Sequence, residues 1–227
     1  MWHRRITLTL AVLAVLLLAI SGPGTRVGLW PFRVGFGMFA GALLLGLAAA
    51  GSAIVGLALP HLRSRSGPFL AAALVLGAAS AAVPLDYVRR VKTLPYINDI
   101  TTDTWRPPQF SPPKDYQSHF PELQRIGYPD LGPIEVPLPP ARAFARAAEI
   151  AKGQGWEITA LEERAGRIQA VATTRWFGFR DDVVIRITPG GAGSRVDMRS
   201  KSRVGRSDVG TNARRIEEFL SRMRASE

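Results

Sequence analysis

The chain has 227 residues, a formal net charge of +11, 47% hydrophobic residues and no cysteine. That length allows one membrane region and one modest soluble domain. The missing cysteine excludes disulfides, cysteine-ligated zinc and a cysteine nucleophile, and only three histidines, two of them beside apolar segments, exclude a histidine-rich metal site.

The charge is divided unevenly. Residues 1–85 hold six Arg and no acidic residue, while residues 86–227 hold the other 23 Lys/Arg and all 18 Asp/Glu. About half of the excess positive charge therefore lies beside apolar segments, where phospholipid headgroups account for it. No nucleic-acid partner is expected from it.

Ile6 to Ile20 is an apolar run behind Arg4 and Arg5. We read it as an uncleaved anchor. A cleaved signal peptide is the alternative, because Ala19-Ile20-Ser21 has the small-x-small form of a cleavage site. Val34 to Leu59 is the clearest transmembrane segment, 26 residues without a charge. Its Gly37 and Gly41 form a small-x-x-x-small pair, read as helix packing within the chain. His61 to Gly67 reads as a short basic loop, and Phe69 to Leu85 as a third apolar run. The expected spans are about 5–22, 34–59 and 68–86, within a membrane region of residues 1–88. Arginine and lysine are nearly balanced across the loops, but the first helix usually sets orientation, and Arg4 and Arg5 precede it. This predicts an internal N-terminus and an external soluble domain, whether or not the first segment is removed.

Residues 89–137 are unusual. Eleven of the 17 prolines lie between Pro95 and Pro140. Proline blocks helix interiors and central strands. Aromatic residues such as Tyr96, Trp105, Phe110, Tyr116 and Tyr128 punctuate the stretch, so it reads as an extended strap laid on a folded domain.

Residues 138–227 form that domain. Leu138 to Lys152 has a helical apolar face, started by Pro139 and Pro140 and ended by Gly153 or Gly155. Trp156 to Ala160 and Arg167 to Thr173 read as strands around a turn at Ala165-Gly166. A hairpin follows, with Val183, Ile185 and Ile187 on one face and Val196, Met198 and Ser200 alternating with Arg195, Asp197, Arg199 and Lys201. Ser207 or Asp208 caps a last helix running to about Arg224. The predicted architecture is about three transmembrane helices, then an α+β domain. That domain is a four-stranded antiparallel sheet with two helices on one face and a Pro-rich extended strap.

Candidate site residues fall in three groups. Asp99, Thr102 and Asp103, in Asn98-Asp-Ile-Thr-Thr-Asp103, carry oxygens that could hold a hard cation, though capping a loop's own backbone amides is the favoured reading. Asp181 and Asp182 open a strand; neighbours there face opposite ways, so they form no preformed pair, and one of them is expected to meet Arg186, Arg199 or Lys201 across the sheet. Arg199, Arg203, Ser207, Asp208 and Asn212 gather where the last strand leads into the last helix, a place suited to an anion, although Asp208 already supplies negative charge. Gly205 to Gly210 lacks the Gly-Lys-Ser/Thr of a phosphate-binding loop and the Gly-x-Ser-x-Gly of a nucleophile elbow. No catalytic residue and no cofactor are expected, and the residues name no particular metal.

Asn98 to Asp103, Tyr128-Pro-Asp130, Trp176-Phe-Gly-Phe-Arg-Asp-Asp-Val-Val184 and Ser202 to Gly210, with Asn212 and Arg215-Ile216, together resemble the domain of unknown function 1499 family. The resemblance covers about residues 95–222. The apolar N-terminal region is similar to that of its membrane-anchored bacterial members; with the spans and orientation read above, the expected place is the bacterial inner (cytoplasmic) membrane, multi-pass, with the soluble domain on the periplasmic side. It implies no activity. Two functions follow: a non-enzymatic envelope protein that binds a protein partner or an anionic ligand beside the lipid bilayer, or a metal-assisted hydrolase or other enzyme using Asp99, Asp103, Asp181 or Asp208.

Overall fold

The structure is a computed structural model that describes residues 2–191 and 193–224. The chain divides into two compact units. The first holds residues up to Lys92 together with Arg175–Gly178, and the second holds Thr93–Thr174 and the chain from Phe179 on.

The first unit is built on three helices: α1 (Trp2–Arg26), α2 (Phe32–Ala58) and α3 (Pro60–Thr93). Each is long and apolar enough to cross a membrane. The basic stretch from His61 to Gly67 is not a loop but the first turns of α3, and only Leu59 separates α2 from α3. Pro60 suits a helix start, where its missing amide is no loss, and arginine is a good helix former. Small residues set the packing. A side chain at Gly46 would meet the Gly77 carbonyl at 2.7 Å, and one at Gly77 would meet the Gly46 carbonyl at 2.7 Å. The two backbones therefore nearly touch, as glycine allows between membrane helices. Gly37 faces open space and Gly41 meets only the end of Leu17. The close approach is thus made by Gly46 and Gly77, not by the Gly37/Gly41 pair. Thr7 and Ser52 exchange a hydrogen bond of 2.7 Å between α1 and α2. Phe177 stacks on Phe36 with ring centres 4.8 Å apart.

The second unit is an antiparallel sheet with helices against one face. Its elements are β1 (Asp99–Thr101), α4 (Phe120–Gly127), β2 (Ile134–Val136), α5 (Pro140–Gly153), β3 (Glu157–Glu162), β4 (Arg167–Thr173), β5 (Arg180–Gly190), β6 (Gly193–Ser202) and α6 (Thr211–Arg224). The strand order is β1-β6-β5-β4-β3, with β2 also paired to β6. The sheet has six strands rather than four, because the proline-rich segment supplies β1 and β2. Both lie antiparallel along the outer side of β6, β1 against residues 199–201 and β2 against residues 194–196. Three residues show no alternation that a sequence pattern could reveal, and they take their conformation from the β6 edge they cover.

Alternation along the long strands decides the two faces. Ile168, Ala170, Val183, Ile185, Ile187, Val196 and Met198 point to the helices and join Phe144, Ala147, Trp156, Ile216, Phe219 and Met223 in one core. Trp156 stacks on Phe219 at 5.6 Å. Each Val, Ile, Phe or Met side chain among these stabilises the fold by about 1.5–3 kcal/mol when removed from water. The opposite face is polar, carrying Asp182 and Arg186 on β5 and Arg195, Asp197, Arg199 and Lys201 on β6. Asp197 and Arg199 are nevertheless fully buried. The segment between β1 and α4 runs over them.

Candidate functional site

The polar sheet face is held by ion pairs that reach into the strap. Asp99, at the start of β1, accepts hydrogen bonds from Arg199 Nε at 2.9 Å and Nη2 at 2.8 Å, and from Lys201 Nζ at 2.7 Å. Arg199 also donates to the carbonyls of Pro108, Lys114 and Asp115. Its guanidinium lies between two rings, 5.0 Å from the centre of Phe110 and 5.2 Å from that of Tyr116. A buried arginine needs acceptors for its donors and a counter-charge, and here the strap supplies the carbonyls and β1 the carboxylate. The Gln124 amide of α4 completes the edge: it accepts from the Thr101 amide at 3.0 Å and donates to the Thr101 carbonyl at 2.6 Å, as a neighbouring strand would.

A second cluster lies further along β6. Asp103 Oδ1 accepts from the amides of Trp105 and Arg106, and Oδ2 from Arg186 and Arg195 at 3.2 and 3.1 Å. Asp197 accepts from Arg195 at 3.0 Å and pairs with Arg186 at 3.0 Å. Thr102 Oγ1 donates to Asp197 at 3.2 Å and accepts from the Met198 amide at 2.9 Å. Burial pushes the Asp103 carboxyl up, but the two amides and two arginines outweigh it and hold it below its ordinary range.

Asp181 and Asp182 face opposite sides of the sheet, but their partners are not the cross-strand residues expected. Asp181 points towards the helices and meets Arg215 of α6 at 2.6 Å. Asp182 points towards the strap and is held by Arg203, at 3.0 and 2.7 Å, and by Lys114. Arg186 and Arg199 are engaged by Asp103 and Asp99 instead, which alternation within one strand cannot disclose. Burial keeps the Asp181 carboxyl above its ordinary value, only partly offset by Arg215. For Asp182, burial is outweighed by hydrogen bonds from Arg203 and Lys114, and its carboxyl is held low.

Residues 99–223, more than half of the chain, match the family described as protein of unknown function (DUF1499). The chain belongs to the DUF1499 family. No curated protein matches it. The match begins at the aspartate that anchors the strap and ends in α6, so the DUF1499 region includes every ion pair described above.

The DUF1499 region ends in a cap and a polar knot. Helix α6 begins at Thr211, later than a cap at Ser207 would give, because Val209 and Gly210 both have positive φ, 52° and 76°. Asp208 bridges that turn, accepting from the Gly210 amide at 3.1 Å and the Asn212 amide at 2.6 Å. Ser207 serves only the Val209 amide, at 3.3 Å. Burial pushes the Asp208 carboxyl up against these two amides. Tyr128 is pushed up to about 12 by burial, with the charges of Asp208 and Glu217 adding to it. Asn212 is fully buried, accepting from Ser200 Oγ at 2.7 Å and Arg215 Nη1 at 2.5 Å and donating to the Asn98 carbonyl at 3.2 Å and Ser202 Oγ at 3.0 Å.

The ten candidate residues of the DUF1499 region thus separate into the Asp99/Arg199 pair, the Asp103/Thr102 cluster, and the β5–α6 corner of Asp181, Asp182, Arg203, Ser207, Asp208 and Asn212. Among the described residues no three His, Cys, Asp or Glu side chains gather as a metal site would need. Composition did not disclose Lys114, Gln124 and Asp197 as partners. Each is an ordinary polar residue in sequence, and only the path of the strap brings it to the sheet.

Proposed function

We propose that the DUF1499 domain of this chain is a non-catalytic binding module on a multi-pass anchor in the bacterial cytoplasmic membrane. Its soluble part is read as lying outside the cytoplasm, where it takes an anionic ligand or the acidic patch of an envelope protein. Three candidate spans support the placement, since an odd number puts the two ends of the chain on opposite sides, and Arg4 and Arg5 favour an internal N-terminus.

One observation carries the binding reading. The candidate carboxylates already have cationic partners, or serve a helix start in the case of Asp208. A general base or metal ligand would have to leave those partners first. Beside these pairs, the loop of Arg203 and Arg206 faces solvent. Arg203 is 42% exposed while paired to Asp182, and Arg206 is exposed with no ion pair among the described residues. The loop is pinned by Asn98, which donates to the Gly205 carbonyl at 2.6 Å. A pinned loop presenting arginines suits recognition of phosphate or carboxylate.

The test is complementation of a deletion strain by a chain carrying Arg203→Ala and Arg206→Ala, with membrane abundance and melting temperature measured alongside. Loss of function at normal abundance and stability is expected. Full complementation would refute the loop as the site. Capture of the intact protein from membranes, with lipids and proteins identified together, then separates a headgroup from a protein partner.

A further inference from the structure

The strap carries a second feature, whose lining includes no residue of the Arg203 loop. A shallow groove of about 360 Å³ runs along it, lined by Trp105, Gln109, Lys114, Asp115, Gln117 and Ser118 among others. Pockets of this size hold small ligands when a few polar groups surround an apolar platform. The platform here is Trp105, a residue 85% exposed. A tryptophan left that open on a folded surface asks for an explanation, since full burial would stabilise it more. It is also held in place. Its amide is bonded to Asp103, itself fixed by two arginines, and the Arg125 guanidinium lies 5.9 Å from the centre of its ring.

The other lining groups define the ligand chemistry. Lys114, the cation among the groove's lining residues, is engaged by Asp182 and by the Phe110 ring at 5.2 Å. Gln109 uses its amide nitrogen on the Pro107 carbonyl, which leaves its oxygen open. The Asp115 carboxylate has no partner among the described residues, although its carbonyl accepts from Arg199 and Lys201. Amides, a hydroxyl, one unpaired carboxylate and one flat ring suit a polyhydroxylated ring: its C–H face covers the indole and its hydroxyls donate to the oxygens. A polyproline helix needs aromatic ridges on both sides of its groove. Tyr116 is no second ridge, because Arg199 covers its ring and its hydroxyl donates to Gln124 at 3.2 Å.

We infer that this groove binds a neutral saccharide, with Trp105 as the stacking platform and Asp115 and Gln117 as hydroxyl partners. This goes beyond the binding reading above and does not use Arg203 or Arg206. The experiment is calorimetric titration of the full-length protein, held in a detergent without a sugar headgroup, with chitotetraose, maltotetraose and decaproline. At least one oligosaccharide binds, Trp105→Ala weakens it by about tenfold or more, and Trp105→Phe and Asp115→Asn weaken it less, all at an unchanged melting temperature. Three results would overturn the inference: neither oligosaccharide binds at millimolar concentration, binding is indifferent to Trp105→Ala, or decaproline is the probe that binds through Trp105. Should Trp105→Ala lower the melting temperature, Gln117→Ala replaces it with the same expected loss.

Discussion

The guanidinium of Arg199 lies fork against fork on the carboxylate of Asp99, with Nε 2.9 Å from Oδ1 and Nη2 2.8 Å from Oδ2, and neither side chain is exposed to solvent. Three strap carbonyls complete the arginine's set of acceptors. One residue of β6 therefore fixes β1 and the strap together.

Removing either partner leaves a buried charge unmatched, which costs about 3–5 kcal/mol. Asp99→Asn and Arg199→Met should each lower the free energy of unfolding by about that amount. Limited proteolysis should then cut between Thr102 and Ser118, where the wild type resists. Replacing both, Asp99→Leu with Arg199→Met, should recover much of the loss. A double replacement as unstable as the single ones would show that the pair is not what holds the strap.

Asn212 uses its whole amide, with two acceptors' worth of bonds at the oxygen and two donors at the nitrogen. Asn212→Ala leaves Ser200, Ser202 and the Asn98 carbonyl without it and should destabilise by about 1–3 kcal/mol. Arg203→Ala should differ by less than about 1 kcal/mol, because its pair is half in water and Lys114 still holds Asp182. Equal melting temperatures for the two variants would contradict this ordering.

How much of this was legible beforehand depends on the kind of pattern. The three membrane helices announce themselves as long apolar runs, α5, α6 and the four long strands through periods of 3.6 and 2, and the alternation of Arg195, Asp197, Arg199 and Lys201 correctly separates the two faces. β1, β2 and α4 are too short for any period, and the prolines around them leave the stretch reading as a strap. The site residues were legible as types but not as pairs: Asp182 finds Lys114, 68 positions away, and Asp103 finds Arg195, 92 positions away. Such separations are set by the strap's route. The Gly46–Gly77 approach was hidden likewise, because it joins glycines of two different helices.

That approach makes its own prediction. Gly46→Leu forces side-chain atoms into the α3 backbone and should destabilise the helical unit in detergent, whereas Gly37→Leu enters open space and should not. The check is thermal aggregation of the purified full-length protein. Equal sensitivity of the two variants would show that α2 and α3 do not meet at Gly46.

Acid behaviour follows from Asp103 and Asp182, whose carboxyls are held low in the folded state. An acid with a lowered folded pKa stabilises above its unfolded value, about 3.9, and that contribution disappears as pH falls through the folded value. Asp103→Asn and Asp182→Asn should therefore be less stable than wild type at neutral pH, and the gap should close below about pH 4. Urea denaturation across a pH series reads it directly; a gap that stays constant would mean that the charge is not what matters.

The central claim is that the candidate carboxylates hold the structure together and are not available for metal chemistry. Elemental analysis of the full-length protein, purified without chelators and dialysed against magnesium, calcium, manganese and zinc in turn, tests it most directly. The account predicts no divalent ion bound in stoichiometric amount, and the same trace content in Asp103→Ala. One equivalent of metal that disappears in Asp103→Ala, with the fold intact, would contradict it and turn the strap aspartates into a metal site.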